Sequence, residues 1–253
     1  MSFNDKVVIV TGGSSGIGAA IAIDFSAAGA KVCITGRDKK KLDNIAKKCK
    51  NPLAILADIT VENDLKRIVD ETVKHFGKLD ILINNAGMGL PASILSDNAM
   101  EVYDTVMNTN LRSTVYLTHL AAPHLIKTKG NIINISSICG QTVMGTNTFA
   151  YNVSKAAVDH FTRSVASELA SSGVRVNSVN PGPVMSDGFE AVSQIMTDKG
   201  ITFKQHLTQQ TALKRLSETK EIADLVLFLA SEKAKGITGS LFVADNGFLV
   251  NTD

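Results

Sequence analysis

Residues Val7 to Gly18, VVIVTGGSSGIG, constrain this chain more than any other stretch. Val7, Val8, Ile9 and Val10 are four consecutive β-branched apolar residues, the pattern of a strand buried on both faces, as strands of a parallel sheet are. Small residues fill Thr11 to Gly18, and Ala19 to Phe25 behind them read as an amphipathic helix. Strand, glycine-rich turn and helix together aim free backbone N–H groups and a positive dipole end at a phosphate. Gly12, Gly16 and Gly18 fall in G-x3-G-x-G spacing, suited to a sharp turn, close backbone approach to a ligand, and tight packing of helix on strand. An ordinary α/β turn has the same composition, so the motif alone is weak support for a nucleotide site.

The rest of the chain alternates in the same way. Strands are expected at Lys31–Gly36, Leu53–Ala57, Leu79–Ile83, Asn131–Ile135, Val174–Val179 and Ser240–Ala244. Helices are expected at Asp38–Lys50, Val61–Phe76 (capped by Thr60 and stopped by Gly77), Ala99–Lys127 with an interruption near Pro123, Phe149–Ser171 and Thr219–Ser231. No repeat, low-complexity segment or linker divides the chain, so residues 1–253 are expected to form a single domain. The fold class this predicts is α/β, a Rossmann-type doubly wound parallel sheet of seven strands with helices on both faces. A lid-like segment is expected at about 184–215. Ligands of such sheets bind beyond the carboxyl ends of the strands. Arg37, Asp58, Asn84-Asn85-Ala86-Gly87, Ser136-Ser137 and Asn180-Pro181-Gly182 all follow strands, at those ends.

Composition removes several function classes. The net charge is +2, and the runs Lys39–Lys41 and Lys47-Lys48 have the spacing of a solvated helix face, not of a nucleic-acid surface. No apolar run approaches the ~20 residues that span a bilayer, so no membrane insertion is expected. Cys33, Cys49 and Cys139 are odd in number and not in metal-ligand spacing, which predicts a reduced, cytoplasmic setting and no metal site. The first strand starts too near Met1 to leave room for a cleaved presequence.

Ser137, Tyr151 and Lys155 carry the sharpest chemical pattern. Tyr151 and Lys155 are four apart on one helix face. An ammonium beside a phenol favours the phenolate, which predicts a Tyr151 pKa below the usual ~10 and a tyrosine fit to pass a proton to or from an oxygen. Ser137 is placed to hold that oxygen. The Tyr-x3-Lys pair also occurs by chance, and it is the serine and the phosphate turn in one sheet that give it weight.

With these residues in place, the chain resembles the short-chain dehydrogenase/reductase family, in its single-domain branch of 3-oxoacyl-reductase-like and hydroxysteroid-dehydrogenase-like members. Thr11–Gly18 resembles the TGxxxGIG coenzyme motif, Asn84–Gly87 the NNAG motif, Tyr151–Lys155 the YxxxK motif, and Pro181-Gly182 the PG motif. The resemblance implies coenzyme contacts from Gly12, Ser14, Ser15, Gly16, Ile17, Gly18, Arg37, Asp58 (to adenine), Ile59, Asn85, Ala86, Gly87, Tyr151, Lys155, Pro181, Gly182, Val184 and Ser186. Ser186 stands where the family has a threonine for the nicotinamide carboxamide. Ser137 is preferred to Ser136 because Gly140 then falls three residues on. The implied reaction is hydride transfer to a carbonyl carbon with Tyr151 as proton donor, Ser137 steadying the oxygen, Lys155 tuning Tyr151, and Asn110 holding a water that links Lys155 to solvent.

Where an acid would select the free ribose hydroxyl, this chain has Gly36 followed by Arg37, which favours NADP(H) and leaves NAD(H) possible. Val184, Met185, Phe189, Val192, Ile195, Met196, Ile201 and Phe203 suggest an apolar lid over a lipophilic ketone, such as a 3-oxosteroid or a 3-oxoacyl group. NAD-dependent alcohol oxidation and a non-catalytic dinucleotide sensor are the alternatives. By family analogy the helices around Asn98–Lys127 and Phe149–Ser171 form the contacts of a homotetramer.

Overall fold

A computed structural model describes residues 1–186, 189, 197–198 and 201–251. In order they form β1 (Val7–Val10), α1 (Gly16–Ala27), β2 (Lys31–Gly36), α2 (Lys39–Ala46), β3 (Leu53–Leu56), α3 (Glu62–Phe76), β4 (Ile81–Asn84), α4 (Ala99–Met107), α5 (Ser113–Thr128) and β5 (Asn131–Ile135). Then come α6 (Phe149–Leu169), β6 (Arg175–Pro181), β7 (Val184–Met185), β8 (Thr197–Asp198), β9 (Ile201–Thr202), α7 (Phe203–Gln210), β10 (Ser217–Glu218), α8 (Thr219–Ala230) and β11 (Leu241–Ala244).

Seven strands pair in the order β3-β2-β1-β4-β5-β6-β11, every neighbour parallel. The doubly wound sheet expected from the sequence is therefore observed, and the short pairs β7–β10 and β8–β9 lie outside it. Because side chains alternate along a strand, β1 feeds two cores. Val8 and Val10 pack with α1, α2 and α8, through Phe25, Leu42 and Val226 among others. Val7 and Ile9 pack with α3, α5 and α6, through Ile68, Leu117 and Val165. Strand order reverses between β1 and β4, and the carboxyl ends splay there into a crevice.

Two local expectations are corrected. Pro123 lies inside α5 and does not break it. The helical run departs from α geometry earlier, at a π-helical turn over Asn108–Arg112. Hydroxyls supply the reason: Thr109 Oγ1 donates to the Thr105 carbonyl, Ser113 Oγ to that of Thr109, and Thr114 Oγ1 to that of Asn110. Three such contacts, each to a carbonyl four residues back, stabilise a widened turn. Thr60 is not the cap of α3, whose N-cap is Val61. Its N–H and hydroxyl both donate to Asp58 Oδ1, at 2.9 and 2.7 Å, because the preceding aspartate offers a stronger acceptor than the helix offers donors. Gly77 ends α3 at a φ of 85°, as expected.

Of the lid residues, Val192, Ile195 and Met196 lie outside the described residues. Val184 and Met185 form β7, and Phe203 begins α7.

Candidate active site

The glycine turn is sewn to the end of β4. Thr11 Oγ1 accepts from the N–H groups of Asn85 and Ala86 at 3.0 and 3.1 Å, while Asn85 Nδ2 donates to the carbonyls of Thr11 and Gly12 at 2.8 and 3.3 Å. A Cβ on Gly18 would overlap both the Gly12 carbonyl and Asn85 Nδ2, so the close approach it permits is to the turn and to β4, not to β1 itself. Gly12 has a φ of 63° and Gly16 one of 54°, the left-handed region. Ser15, the N-cap of α1, makes no side-chain cap bond, and the first turn of α1 holds no acidic residue. The opening N–H groups of that helix therefore face a position suited to an anion.

Two adjoining cavities run along the crevice. The first, about 330 Å³, is lined by Gly12, Ser14, Ser15, Ile17, Gly18, Gly36, Arg37, Asp58, Ile59, Asn85, Ala86 and Gly87 among others. Asp58 commits Oδ1 to Thr60, and its Oδ2 stands 3.9 Å from Arg37. The second, about 590 Å³, is lined by Ser137, Tyr151, Lys155, Pro181, Gly182, Val184 and Phe189. Ile17, Asn85, Gly87, Met88 and Ser186 border both, so the two form one elongated cleft.

All of the expected coenzyme residues but Gly16, and the catalytic side chains of Ser137, Tyr151 and Lys155, are thus brought to this cleft. Two expected residues are not. Gly16 borders a neighbouring groove with Ser14, Lys41 and Lys48, and its contribution is backbone conformation. Asn110 lies behind the cleft wall, where its side chain accepts from Met88 N and donates to Met88 O, both at 2.8 Å, and donates to Ser154 Oγ at 3.0 Å. Its side chain is therefore a clamp on the β4–α4 loop.

Ser137 lies two residues beyond β5 and begins a short turn, accepting from Cys139 N at 3.1 Å. Its hydroxyl proton is left free to donate. Tyr151 is within its hydrogen-bonding reach, and Gly89 lies flat against the Tyr151 ring, where a Cβ would stand 3.5 Å from it. Ser136 instead donates to the Lys155 carbonyl at 3.1 Å, which supports the choice of Ser137 over Ser136. Lys155 Nζ donates to the Ile135 carbonyl at 2.9 Å and sits 5.6 Å from the centre of the Tyr151 ring.

The electrostatics correct one expectation. Burial pushes the Tyr151 phenol up to about 12, Cys139 adds to the rise, and the Ser137 contact offsets part of it. Lys155 is not among the groups that lower it. The ammonium is itself buried, which pulls it down to about 8 against the opposing influence of Asp159 and Cys139. Spent on the Ile135 carbonyl and offset over the ring, it cannot outweigh desolvation of the phenolate in the resting protein.

Several lining residues escaped the sequence reading: Thr35, Thr60, Gly89, Thr109 and Ile135. Ile135 contributes a carbonyl, which any residue type carries. Thr11 was legible as part of a motif, but its pairing with β4 was not.

A family model described as enoyl-(acyl carrier protein) reductase matches residues 12–249. The chain also superposes on a short-chain dehydrogenase/reductase from Caenorhabditis elegans, of unknown function and solved with cofactor, with a TM-score of 0.89 and 35% identity over 99% of this chain and 97% of that one. The chain belongs to the short-chain dehydrogenase/reductase family. This short-chain dehydrogenase/reductase is 35% identical over 242 residues to L-fucose dehydrogenase of Bos taurus, covering 96% of this chain and 88% of that one. It also superposes on a 7α-hydroxysteroid dehydrogenase complexed with NADH and 7-oxo glycochenodeoxycholic acid, at a TM-score of 0.90 and 31% identity over 97% and 95% of the two chains. Membership makes the protein an oxidoreductase of alcohols and ketones that uses a nicotinamide dinucleotide. The cleft fits that coenzyme: a glycine cradle that a Cβ would fill, an open helix N-terminus, and a bipartite cavity with hydroxyl and amide groups along it. No described helix is long and apolar enough to cross a membrane, and the described residues hold no cluster of metal ligands.

Proposed function

We propose that the protein is an NADP(H)-dependent reductase of a lipophilic ketone, and that Tyr151 is its proton donor. The observation that carries this reading is the convergence of Ser137, Tyr151 and Lys155 in a cavity continuous with the glycine cradle. When bound, the nicotinamide supplies the hydride. As the substrate carbonyl oxygen gains negative charge, Tyr151 passes it a proton and Ser137 donates a hydrogen bond to it, preorganised stabilisation of the kind such charge requires. The phenolate left behind faces the Lys155 ammonium, so the lysine acts on the product of proton transfer although it does not lower the resting pKa. Asn110 keeps Met88 and the loop it belongs to against the cleft.

Arg37 supports the preference for NADP(H): its guanidinium is exposed beside Ser14 at the end of β2, where a 2′-phosphate would be read. Asp58 at 3.9 Å partly offsets that charge, and it favours a second reading, NAD-linked alcohol oxidation at the same site. Met88, Ile135, Val184 and Phe189 support an apolar substrate, and Lys155 is the sole charged side chain among the described residues of the second cavity. A neighbouring groove of about 440 Å³, lined by Val143, Met144, Phe203, Leu207 and Phe248, extends the apolar character. Residues 184–215 would serve as its lid. The exposed faces of α5 and α6, carrying Val115, Ile126 and Val153, support a homotetramer, and three free thiols among the described residues suit a cytoplasmic setting.

NADPH and NADH oxidation measured in parallel against 3-oxosteroids, 3-oxoacyl thioesters, retinal, diketones and keto sugars tests the reading. Turnover with NADPH on a lipophilic member is expected. Turnover confined to NADH, or to sugars, would overturn the coenzyme or the substrate part respectively. Tight coenzyme binding without any turnover would favour a sensor. Light scattering that gives a monomer would remove the tetramer.

A further inference from the structure

Asp159 is a buried carboxylate beside the catalytic residues that the reaction scheme above leaves without a task. It lies on α6 one turn beyond Lys155, and only 5% of its surface is exposed. Asn180, the last residue before Pro181-Gly182, donates from Nδ2 to both carboxylate oxygens at 2.9 and 2.8 Å, and to the Ser137 carbonyl at 3.2 Å. Ser178 Oγ donates to Asn180 Oδ1 at 2.5 Å and lies 3.4 Å from Asp159 Oδ1. Gly140 closes the arrangement: a Cβ there would stand 3.0 Å from Asp159 Oδ2 and 2.9 Å from the α6 backbone at Lys155. One amide thus joins a carboxyl group on α6, which burial makes harder to ionise, to the main chain of the serine after β5.

We propose that Asp159 is a positioning residue of the active site, holding Ser137 in place through Asn180 and standing one helical turn from Lys155. The proposal rests on the catalytic reading of Ser137 and Lys155 given above. A buried carboxylate with three donors around it is costly to place and is retained where it orients something. The groups that face it are few. Lys155 comes from its own helix, and Ser136 of the turn after β5 offers a hydroxyl. Strand β6 offers only the uncharged Ser178 and Asn180. Across a surface groove on the far side, β11 offers Leu241 and Val243, while His160 and Arg163 of α6 line the same groove.

Two variants separate positioning from mere stability. Asp159→Asn removes the charge and one acceptor. The exchange Asp159→Asn with Asn180→Asp restores a donor–acceptor pair between the two positions, but leaves the Ser137 carbonyl without its donor. For Asp159→Asn, kcat is expected to fall about 10- to 100-fold, as for a misplaced catalytic group, with coenzyme affinity kept within about threefold. Lys155, followed by NMR of ε-13C-labelled lysine, is expected to titrate roughly half a pH unit or more lower. The exchange should recover Tm without recovering kcat. A wild-type kcat and Lys155 titration in Asp159→Asn, or recovery of Tm and kcat together in the exchange, overturns the proposal. If Asp159→Asn does not fold, Asn180→Ser removes the clamp alone, and a wild-type kcat there overturns it equally. The lysine titration needs no turnover, so a protein inactive on every carbonyl would defeat the catalytic reading and leave this test standing.

Discussion

The Lys155 ammonium sits 5.6 Å from the centre of the Tyr151 ring while donating to the Ile135 carbonyl at 2.9 Å. Burial draws it down to about 8, whereas the phenol is pushed up to about 12. In the free protein the lysine therefore titrates first. Reduction needs its charge to offset the phenolate, so kcat/KM for the reduced coenzyme, which reports groups of the free protein, should fall as pH rises through about 8. A pH profile flat from 7 to 10 would remove Lys155 from that role.

Tyr151→Phe takes away the proton and leaves the ring. Turnover should drop about 10²- to 10⁴-fold, the range for a lost general acid. Coenzyme affinity, read by nicotinamide fluorescence, should change little. A variant that keeps most of its rate would mean that another group gives the proton.

The same lysine leaves a mark on stability. Its pKa is lowered in the folded state, so between about 8 and the unfolded value near 10.5 the unfolded chain holds a proton that the folded chain has lost. The cost of burying the charge is present below about 8 and is relieved as pH rises above it. Stability should therefore gain up to about 3 kcal/mol from this group between pH 8 and 10.5. Tyr151 acts oppositely from about pH 10 to 12, because the folded state then keeps a proton that the unfolded chain releases. Comparing the pH dependence of urea midpoints for wild type and Lys155→Met checks the sign: the variant should lack the rise.

Coenzyme preference turns on the end of β2. Arg37→Ala should weaken NADPH binding about tenfold or more, as loss of a charge-assisted phosphate contact does, and leave NADH within about twofold. Gly36→Asp should not simply convert the enzyme to NADH. A Cβ at Gly36 would lie 2.5 Å from Ser14 Oγ and 2.8 Å from Ser14 Cβ, so the single change should weaken both coenzymes. Gly36→Asp with Ser14→Gly should favour NADH. Coenzyme dissociation constants for the three variants decide the matter, and equal NADPH affinity in Arg37→Ala would discard the assignment.

Much of this was legible in the chain because strand and helix alternate strictly. The runs at Val7–Val10 and Asn131–Ile135 are buried throughout and sit in the centre of the sheet, where hydrophobic runs have few alternatives. Ser137, Tyr151 and Lys155 were legible because one strand end and one helix face suffice to bring them together. What escaped depends on packing between distant elements. Desolvation sets the Tyr151 pKa, and no spacing of residues encodes it. The π-turn at Asn108–Arg112 rests on three hydroxyls that read as ordinary helix residues, and the proline at 123 drew attention to the wrong place. Asn110 is where the motif places it, but its side chain serves Met88.

The elongated cleft also has a seam along the sequence. The cavity at the glycine turn is walled by residues between Gly12 and Met88, with Thr109 and Ser186 as exceptions, whereas the cavity around Tyr151 draws its chemistry from Ile135 onward. Coenzyme choice and substrate choice are thus inherited on separate stretches. Drift or recombination can alter one while sparing the other, which suits this architecture to diversify its substrates without relearning how to hold a dinucleotide.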